Sequence, residues 1–211
     1  MSKESTEKNP LPLSAKLNAW YRGSIRGKTR ITLAWIFCIL LVLSARDYPA
    51  WPGIAVCFVG ACIRFWASGY LRKDMKLSVG GPYGFSRNPL YLGTYIMALG
   101  TAIAVQNVWL VLAVSVLFAA VYHYIILDEE TKLRGIFGSP YELYCMLVPR
   151  FFPRLSPPKL EEKLKVNANP EHHRFSWELI AKNRAHEPFA TFAALIGFIY
   201  LIARVWKVFG A

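Results

Sequence analysis

Acidic residues, histidine and cysteine are scarce in this chain. Its 211 residues include 13 Asp and Glu against 25 Lys and Arg, with 4 His and 4 Cys. Cys38, Cys57 and Cys62 lie inside apolar runs and Cys145 stands alone. No pair has zinc-ligand spacing and no disulfide framework is suggested, so no metal site is expected. The one histidine doublet, His172–His173, is a poor metal pair, because neighbouring side chains on a helix diverge by about 100°. It reads as a solvated loop. A lipidation box and an internal repeat are also missing. The first thirty residues are polar, which argues against a signal peptide there.

Long apolar stretches are what the chain has in quantity. Residues 31–45, 52–71, 90–105, 108–127 and 188–205 are predominantly apolar. A helix needs about 20 such residues to cross a bilayer. The first run is shorter and would borrow flanking residues or sit where the bilayer is thinner. A water-soluble bundle is disfavoured, because five apolar helices in so small a domain leave too little polar surface. The expected fold is all-α: a polytopic membrane helical bundle of about five transmembrane helices. The expected parts are a polar, basic leader (1–30), a membrane core (31–153), a linker with an interfacial helix (154–187) and a C-terminal transmembrane helix (188–211).

The net charge of +12 would suit nucleic acid, but its distribution points to a membrane and no nucleic-acid partner. Basic residues crowd the leader, the connection holding Arg72, Lys73, Lys76 and Arg87, and residues 128–187. The opposite connections hold Arg46 alone in one case and none in Gln106–Asn107. By the positive-inside rule the N-terminus, 72–89 and 128–187 are cytoplasmic. An integral protein of a bacterial inner membrane or the endoplasmic reticulum is expected.

Local signals refine this plan. Pro52 is placed to begin the second apolar helix. That helix carries Gly53, Cys57, Gly60 and Ala61, whose small side chains permit close helix approach. Its Arg64 must face the bundle, a cavity or the interface, and reads as a snorkelling or bundle-locking arginine. Gln106–Asn107 makes a tight hairpin. Asp128, Glu129 and Glu130 are expected at the end of the fourth helix, where they oppose the helix dipole and invite a cationic partner. Gly138 breaks the chain, and Ser139, Pro140 and Glu142 suggest a capping box opening a helix that Pro149 stops. Residues 174–186 suggest a helix on the membrane surface.

Chemistry concentrates in 76–93. Gly80-Gly81-Pro82 forces a turn. Asn88 and Pro89 suit the N-cap and first residue of a helix whose free N–H groups and dipole favour an anion. Arg87 adds a planar, charged fork. If the fourth helix packs beside this helix start, its acids approach Arg87. Together the clusters would receive a zwitterion, one part taking a carboxylate and the other an ammonium or hydroxyls. Tyr83, Tyr91, Tyr141 and Tyr144 would offer aromatic faces to a sulfonium or an adenine. A headgroup-binding loop would draw on the same residues.

The order GPYGFSRNPLYLG, then a helix, then DEE, FGSPYELY and VPRFFP resembles the isoprenylcysteine carboxyl methyltransferase family and its phospholipid methyltransferase relatives, over residues 76–153. The resemblance implies a small helical membrane methyltransferase with S-adenosylmethionine at the cytoplasmic helix ends, capped by the segment after them. It implies cofactor contacts from Leu77, Ser78, Tyr83, Asn88, Pro89, Leu90, Tyr91, Glu129 and Glu130, with Arg87, Glu129 and Glu130 as catalytic candidates. Arg87, Tyr144 and Arg150 are the candidates for holding the acceptor, a lipid or prenylated small molecule entering from the bilayer. Asn88 stands where the family carries histidine, and Tyr124-Ile125-Ile126-Leu127 lacks the arginine that precedes the glutamates in enzymes acting on prenylcysteine. The chain also continues past Pro153 with the surface helix and the fifth apolar run.

The implied reaction is an in-line displacement at a sulfonium methyl, in which the protein orients the acceptor and excludes water. A carboxylate acceptor needs no base. An amine must lose a proton, for which Glu129, Glu130 or His123 is available. A lipid N-methyltransferase, a sterol-reductase-like NADPH enzyme and a non-enzymatic adaptor are the alternatives.

Overall fold

The computed structural model describes residues 35–37, 39–41, 43–72, 76–158, 160 and 174–209. The leader, Cys38, His172–His173 and much of the linker lie outside these. Residues 1–38 and 39–211 are separate compact units; of the first only 35–37, which are helical, are described.

In the larger unit, a helical stretch within 39–44 is followed by α1 (Trp51–Ser68), a 3-10 turn (Gly81–Gly84), α2 (Pro89–Ala104), α3 (Val108–Phe137), α4 (Ser139–Leu147), α5 (Trp177–Lys182) and α6 (Glu187–Phe209). All regular structure among the described residues is helical, as expected. Three helices, α1, α3 and α6, are long and apolar enough to cross a membrane. The run at 90–105 forms the 16-residue α2, about 24 Å long and so shorter than a hydrocarbon core. Of the first run, residues 35–37, 39–41 and 43–45 are described, and all of these but Ala45 are helical. Large apolar side chains exposed along α1, α3 and α6 would face lipid, and Trp51 and Trp109 stand at the Gln106 end, where an aromatic belt is favoured.

Each helix starts and stops for a local reason. Pro52 occupies the first turn of α1, where a missing N–H costs nothing. Asn107 caps α3, its side chain accepting from the N–H groups of Trp109 (3.0 Å) and Leu110 (3.2 Å). Asn183, just after α5, donates to the carbonyl of Ser68, the last residue of α1, at 2.9 Å and to that of Leu71 beyond it at 2.8 Å. That clamp holds the polar segment before α6 against the end of α1.

Three local expectations are corrected. Helix α3 continues to Phe137, so Asp128, Glu129 and Glu130 lie within it, with Arg134 in its last turn. The acids therefore do not oppose its C-terminal dipole. Ser139 does not cap α4: Gly138 takes that position at φ 58°, and no side chain bonds the helix start. The required backbone conformation suits glycine, so geometry wins over the capping box. The surface helix is confined to Trp177–Lys182, six residues inside the expected 174–186.

The α1–α2 interface is the principal seam of the bundle, and glycines make it close. A Cβ on Gly53 would strike the Ala104 backbone, one on Gly60 would meet Met97, and one on Gly100 would strike the Cys57 backbone. The small residues of 52–71 thus serve the packing expected of them. Gly100→Val should destabilise the protein by about 3 kcal/mol or more, because two backbones must separate to admit it. Thermal unfolding in detergent checks this, and an unchanged midpoint would show that the seam is loose.

Candidate functional site

The loop between α1 and α2 is anchored on its apolar residues. Leu77 and Val79 pack with Tyr141, Tyr144, Val148 and Leu160 in one buried cluster. Gly81 takes φ 54° at the turn, with the Tyr70 ring against it. The Tyr144 hydroxyl donates to the Tyr83 carbonyl at 2.7 Å, which fixes the turn to α4.

Beyond the turn, residues 85–88 run beside 149–154. The Arg87 N–H donates to the Pro149 carbonyl (2.9 Å) and the Arg154 N–H to that of Phe85 (3.0 Å). Ser86 Oγ donates to the Phe151 carbonyl (2.8 Å) and Asn88 Nδ2 to that of Arg150 (2.9 Å). Asn88 holds the N-cap position of α2 as expected, but its side chain makes no cap bond and joins the two segments instead.

Glu130 is the centre of the site. Its carboxylate is 1% exposed and accepts from Arg87 Nη2 at 2.6 Å and from Arg150 Nε and Nη2 at 2.9 and 3.0 Å. Arg134 stands 3.9 Å away. Arg87 Nη1 donates to the carbonyls of Cys145 (2.6 Å) and Val148 (3.1 Å). One guanidinium therefore joins the start of α2, the C-terminal third of α3 and the end of α4. Two close guanidinium groups share one carboxylate, so the cluster is net positive and favours an anion.

The predicted residues fall into two sets. Tyr83, Arg87, Asn88, Glu130, Tyr144 and Arg150 are joined by the bonds above, and Leu77 packs on Tyr144. Pro89 is buried behind them. Ser78 accepts from the Arg72 N–H at 3.0 Å. Leu90 lends its carbonyl to Arg64 and Thr94, and Tyr91 turns to Tyr122, edge to face at 5.4 Å. Glu129 is exposed beside the buried Glu130. Arg87 is not the free fork expected of it, because its terminal nitrogens are spent inside the protein. Sequence reasoning missed Ser86, 1% exposed, and the carbonyls that receive Arg87, which no side-chain pattern announces.

Two buried polar side-chain atoms, Tyr83 Oη and Arg87 Nε, lack a hydrogen-bond partner among the described residues. Such atoms are costly unless something fills them. A polar recess lined by Ser44, Arg46, Asp47, Gln106 and Asn107 lies at the other end of α2.

Burial raises the phenols of Tyr83, Tyr141 and Tyr144 above their ordinary range, reinforced at Tyr83 by Glu129 and Tyr91. The hydrogen bond to Glu130 holds Arg150 protonated. Below about pH 10 the phenols are protonated folded and unfolded alike. Above it the unfolded chain releases protons that the folded chain keeps, so stability should fall by up to about 1.4 kcal/mol per pH unit for each phenol. Unfolding midpoints measured from about pH 9 to 11 should decline. Replacing all three tyrosines by phenylalanine should flatten the decline, and an unchanged slope would refute this source.

Residues 52–140 match the phospholipid methyltransferase family. The chain is 30% identical over 160 residues to the cobalt-zinc-cadmium resistance protein CzcN of Cupriavidus metallidurans, covering 70% of this chain and 72% of that one. It is 29% identical to the nickel-cobalt-cadmium resistance protein NccN of Alcaligenes xylosoxydans xylosoxydans, over 63% of this chain and 58% of that protein's length. It is 36% identical to the protein-S-isoprenylcysteine O-methyltransferase of Schizosaccharomyces pombe, over 38% of this chain and 34% of the enzyme. No solved structure matches.

Proposed function

The chain belongs to the phospholipid methyltransferase family of membrane proteins, and from that premise we propose that it transfers a methyl group from S-adenosylmethionine to a lipid-like acceptor in the bilayer. The observation that supports this most is the pair of buried donors, Tyr83 Oη and Arg87 Nε, left open beside a net-positive cluster. They fit a ligand with a carboxylate and hydroxyls. When bound, S-adenosylmethionine supplies an electrophilic methyl on sulfur. Tyr83, Asn88, Glu129 and the start of α2 would hold it, over the apolar floor of Leu77, Tyr141 and Tyr144.

In this reading Arg87 and Glu130 are positioning residues. Their ion pair fixes the Tyr83 turn, α2 and α4 in one arrangement, so acceptor and donor meet already oriented. The buried apolar cluster keeps water from the reacting atoms. In this reading the exposed Glu129 would take the proton from an amine acceptor; a carboxylate acceptor needs no base. With the N-terminus cytoplasmic, the cofactor enters from the cytosol and the acceptor from the lipid.

The names of two relatives tie them to metal resistance. Among the described residues no three His, Cys, Asp or Glu side chains cluster as metal ligands.

Calorimetric titration of the purified protein with S-adenosylhomocysteine tests the proposal. Saturable binding is expected, weakened roughly tenfold by Glu129→Ala, the loss of one charged hydrogen-bonding group. No binding to folded wild-type protein would sink the methyl-transfer reading and bring forward the NADPH enzyme and the adaptor.

A further inference from the structure

The candidate site lies between the start of α2 and the C-terminal third of α3, so the seams between helices decide what reaches it from the bilayer. The α1–α2 seam is closed by backbone against backbone at Gly53 and Gly100. Helix α6 covers α1 through Phe189 and Phe192, whose rings pack on Phe58 at 5.9 and 5.7 Å. The α2–α3 seam is built of side chains instead. Tyr91 and Tyr95 on α2 meet Tyr122 and Phe118 on α3 at 5.4 and 4.9 Å, and Phe151 lies against Tyr95 (6.0 Å) and Phe118 (5.7 Å). All five rings are half-buried. Away from the site the seam is tied by Tyr95 Oη and Ser115 Oγ, 3.1 Å apart; Ser115 donates to the Val111 carbonyl at 2.9 Å, so Tyr95 is the donor between them. Backbones in contact part only if helices separate, whereas a ring needs only a change of rotamer.

Phe151 is the one of these five rings outside a helix. Arg150 before it reaches Glu130, and Phe152 after it is exposed. Residues 86–88 grip three successive carbonyls: Arg87 N–H that of Pro149, Asn88 Nδ2 that of Arg150, and Ser86 Oγ that of Phe151 at 2.8 Å. Ser86 is buried, and its oxygen also accepts from the Asn88 N–H at 3.3 Å. One hydroxyl thus ties Phe151 to the start of α2.

We propose that Phe151 governs entry of the acceptor's apolar part between α2 and α3, and that Ser86 is the positioning residue that holds it. The proposal rests on the methyl-transfer reading and adds the specificity-determining residue. With its ring on Tyr95 and Phe118 the seam is shut. With the ring turned out, a chain lies on the aromatics of α2 and α3 while its head meets Arg150 and Glu130. A flexible hydrocarbon chain needs that one ring displaced. A rigid fused-ring body needs α2 and α3 themselves to part, so the portal selects flexible chains.

The test is photolabelling of the detergent-purified full chain with palmitic acid carrying a diazirine in its chain, mapped by mass spectrometry. Ser86→Ala should raise labelling of 91–95 and 118–122 about fivefold, the gain in open population from losing one hydrogen bond. Phe151→Ala should raise it roughly tenfold or more, through loss of the ring and its contacts. Ser86→Ala should add nothing in the Phe151→Ala background, because it acts through that ring. If Phe151→Ala fails to fold, Phe151→Leu should give a smaller rise at the same positions. Labelling of the exposed face of α6 should not change. In wild type a diazirine-bearing sterol should label α6 and leave the seam unlabelled. Unchanged seam labelling in the single variants, a rise shared equally by α6, an additive effect of Ser86→Ala, or sterol in the seam would each overturn the proposal. S-adenosylhomocysteine, titrated in parallel, should bind wild type and variants alike. Its failure to bind wild type would remove the methyl-transfer reading, while the labelling still decides whether Phe151 shuts the seam.

Discussion

Glu130→Ala is expected to cost about 3–5 kcal/mol, because it leaves a buried cation without its counter-charge. Arg150 can swing to solvent, since its side chain is 39% exposed, but Arg87 is 7% exposed and cannot. It would retain the carbonyls of Cys145 and Val148, which solvate a charge without neutralising it. Against a total stability of about 5–15 kcal/mol, the variant should show a much lower unfolding midpoint or fail to accumulate. Glu130→Gln keeps acceptor shape and loses the charge, so it should fall between alanine and wild type. Removing both partners should be milder than removing one: Glu130→Leu with Arg87→Met is expected to recover much of the loss, since a packed apolar pair carries no desolvation cost. Thermal unfolding of the four proteins in one detergent decides the matter. A Glu130→Ala midpoint equal to wild type would show that the ion cluster does not hold α2, α3 and α4 together.

What the sequence made legible follows from which interactions are local. Apolar runs reported the helices because burial and lipid contact act on every residue of a run. Pro52, Asn107 and Gly138 marked boundaries because their effect is confined to a turn. The approach of the acids to Arg87 was legible only as a condition, since it depended on how α3 packs against the start of α2. The choice of Glu130 over Glu129 was not legible at all: neighbouring residues on a helix point about 100° apart, and only the packing says which faces inward. The strap between 85–88 and 149–154 was equally hidden. It is made of backbone carbonyls and N–H groups, which every residue carries. The misplaced end of α3 has the same root. A charged segment after an apolar run looks like a helix terminus, but Arg87 and Arg150 compensate the buried Glu130, so the helix runs on past its acids.

Tyr83→Phe should move stability and ligand binding in opposite directions. The hydroxyl is buried and unpartnered among the described residues, and an unsatisfied buried polar group costs about 1–3 kcal/mol. Deleting one oxygen while keeping the ring should therefore leave the unfolding midpoint unchanged or raise it by about 1 kcal/mol in stability. The Tyr144 bond to position 83 is untouched, because it is received by the backbone carbonyl. If the hydroxyl waits for the cofactor, the same change should weaken S-adenosylhomocysteine roughly tenfold or more, through loss of a bond in a desolvated site. A residue that merely packs cannot produce that combination, since lost packing lowers both quantities together. Calorimetry and thermal unfolding on one preparation separate the cases. Unchanged affinity with raised stability would make the orphaned hydroxyl a plain cost of the fold and remove Tyr83 from the cofactor site. A lowered midpoint would mean that the hydroxyl already bonds within the protein, and the pair of open donors would reduce to Arg87 Nε alone.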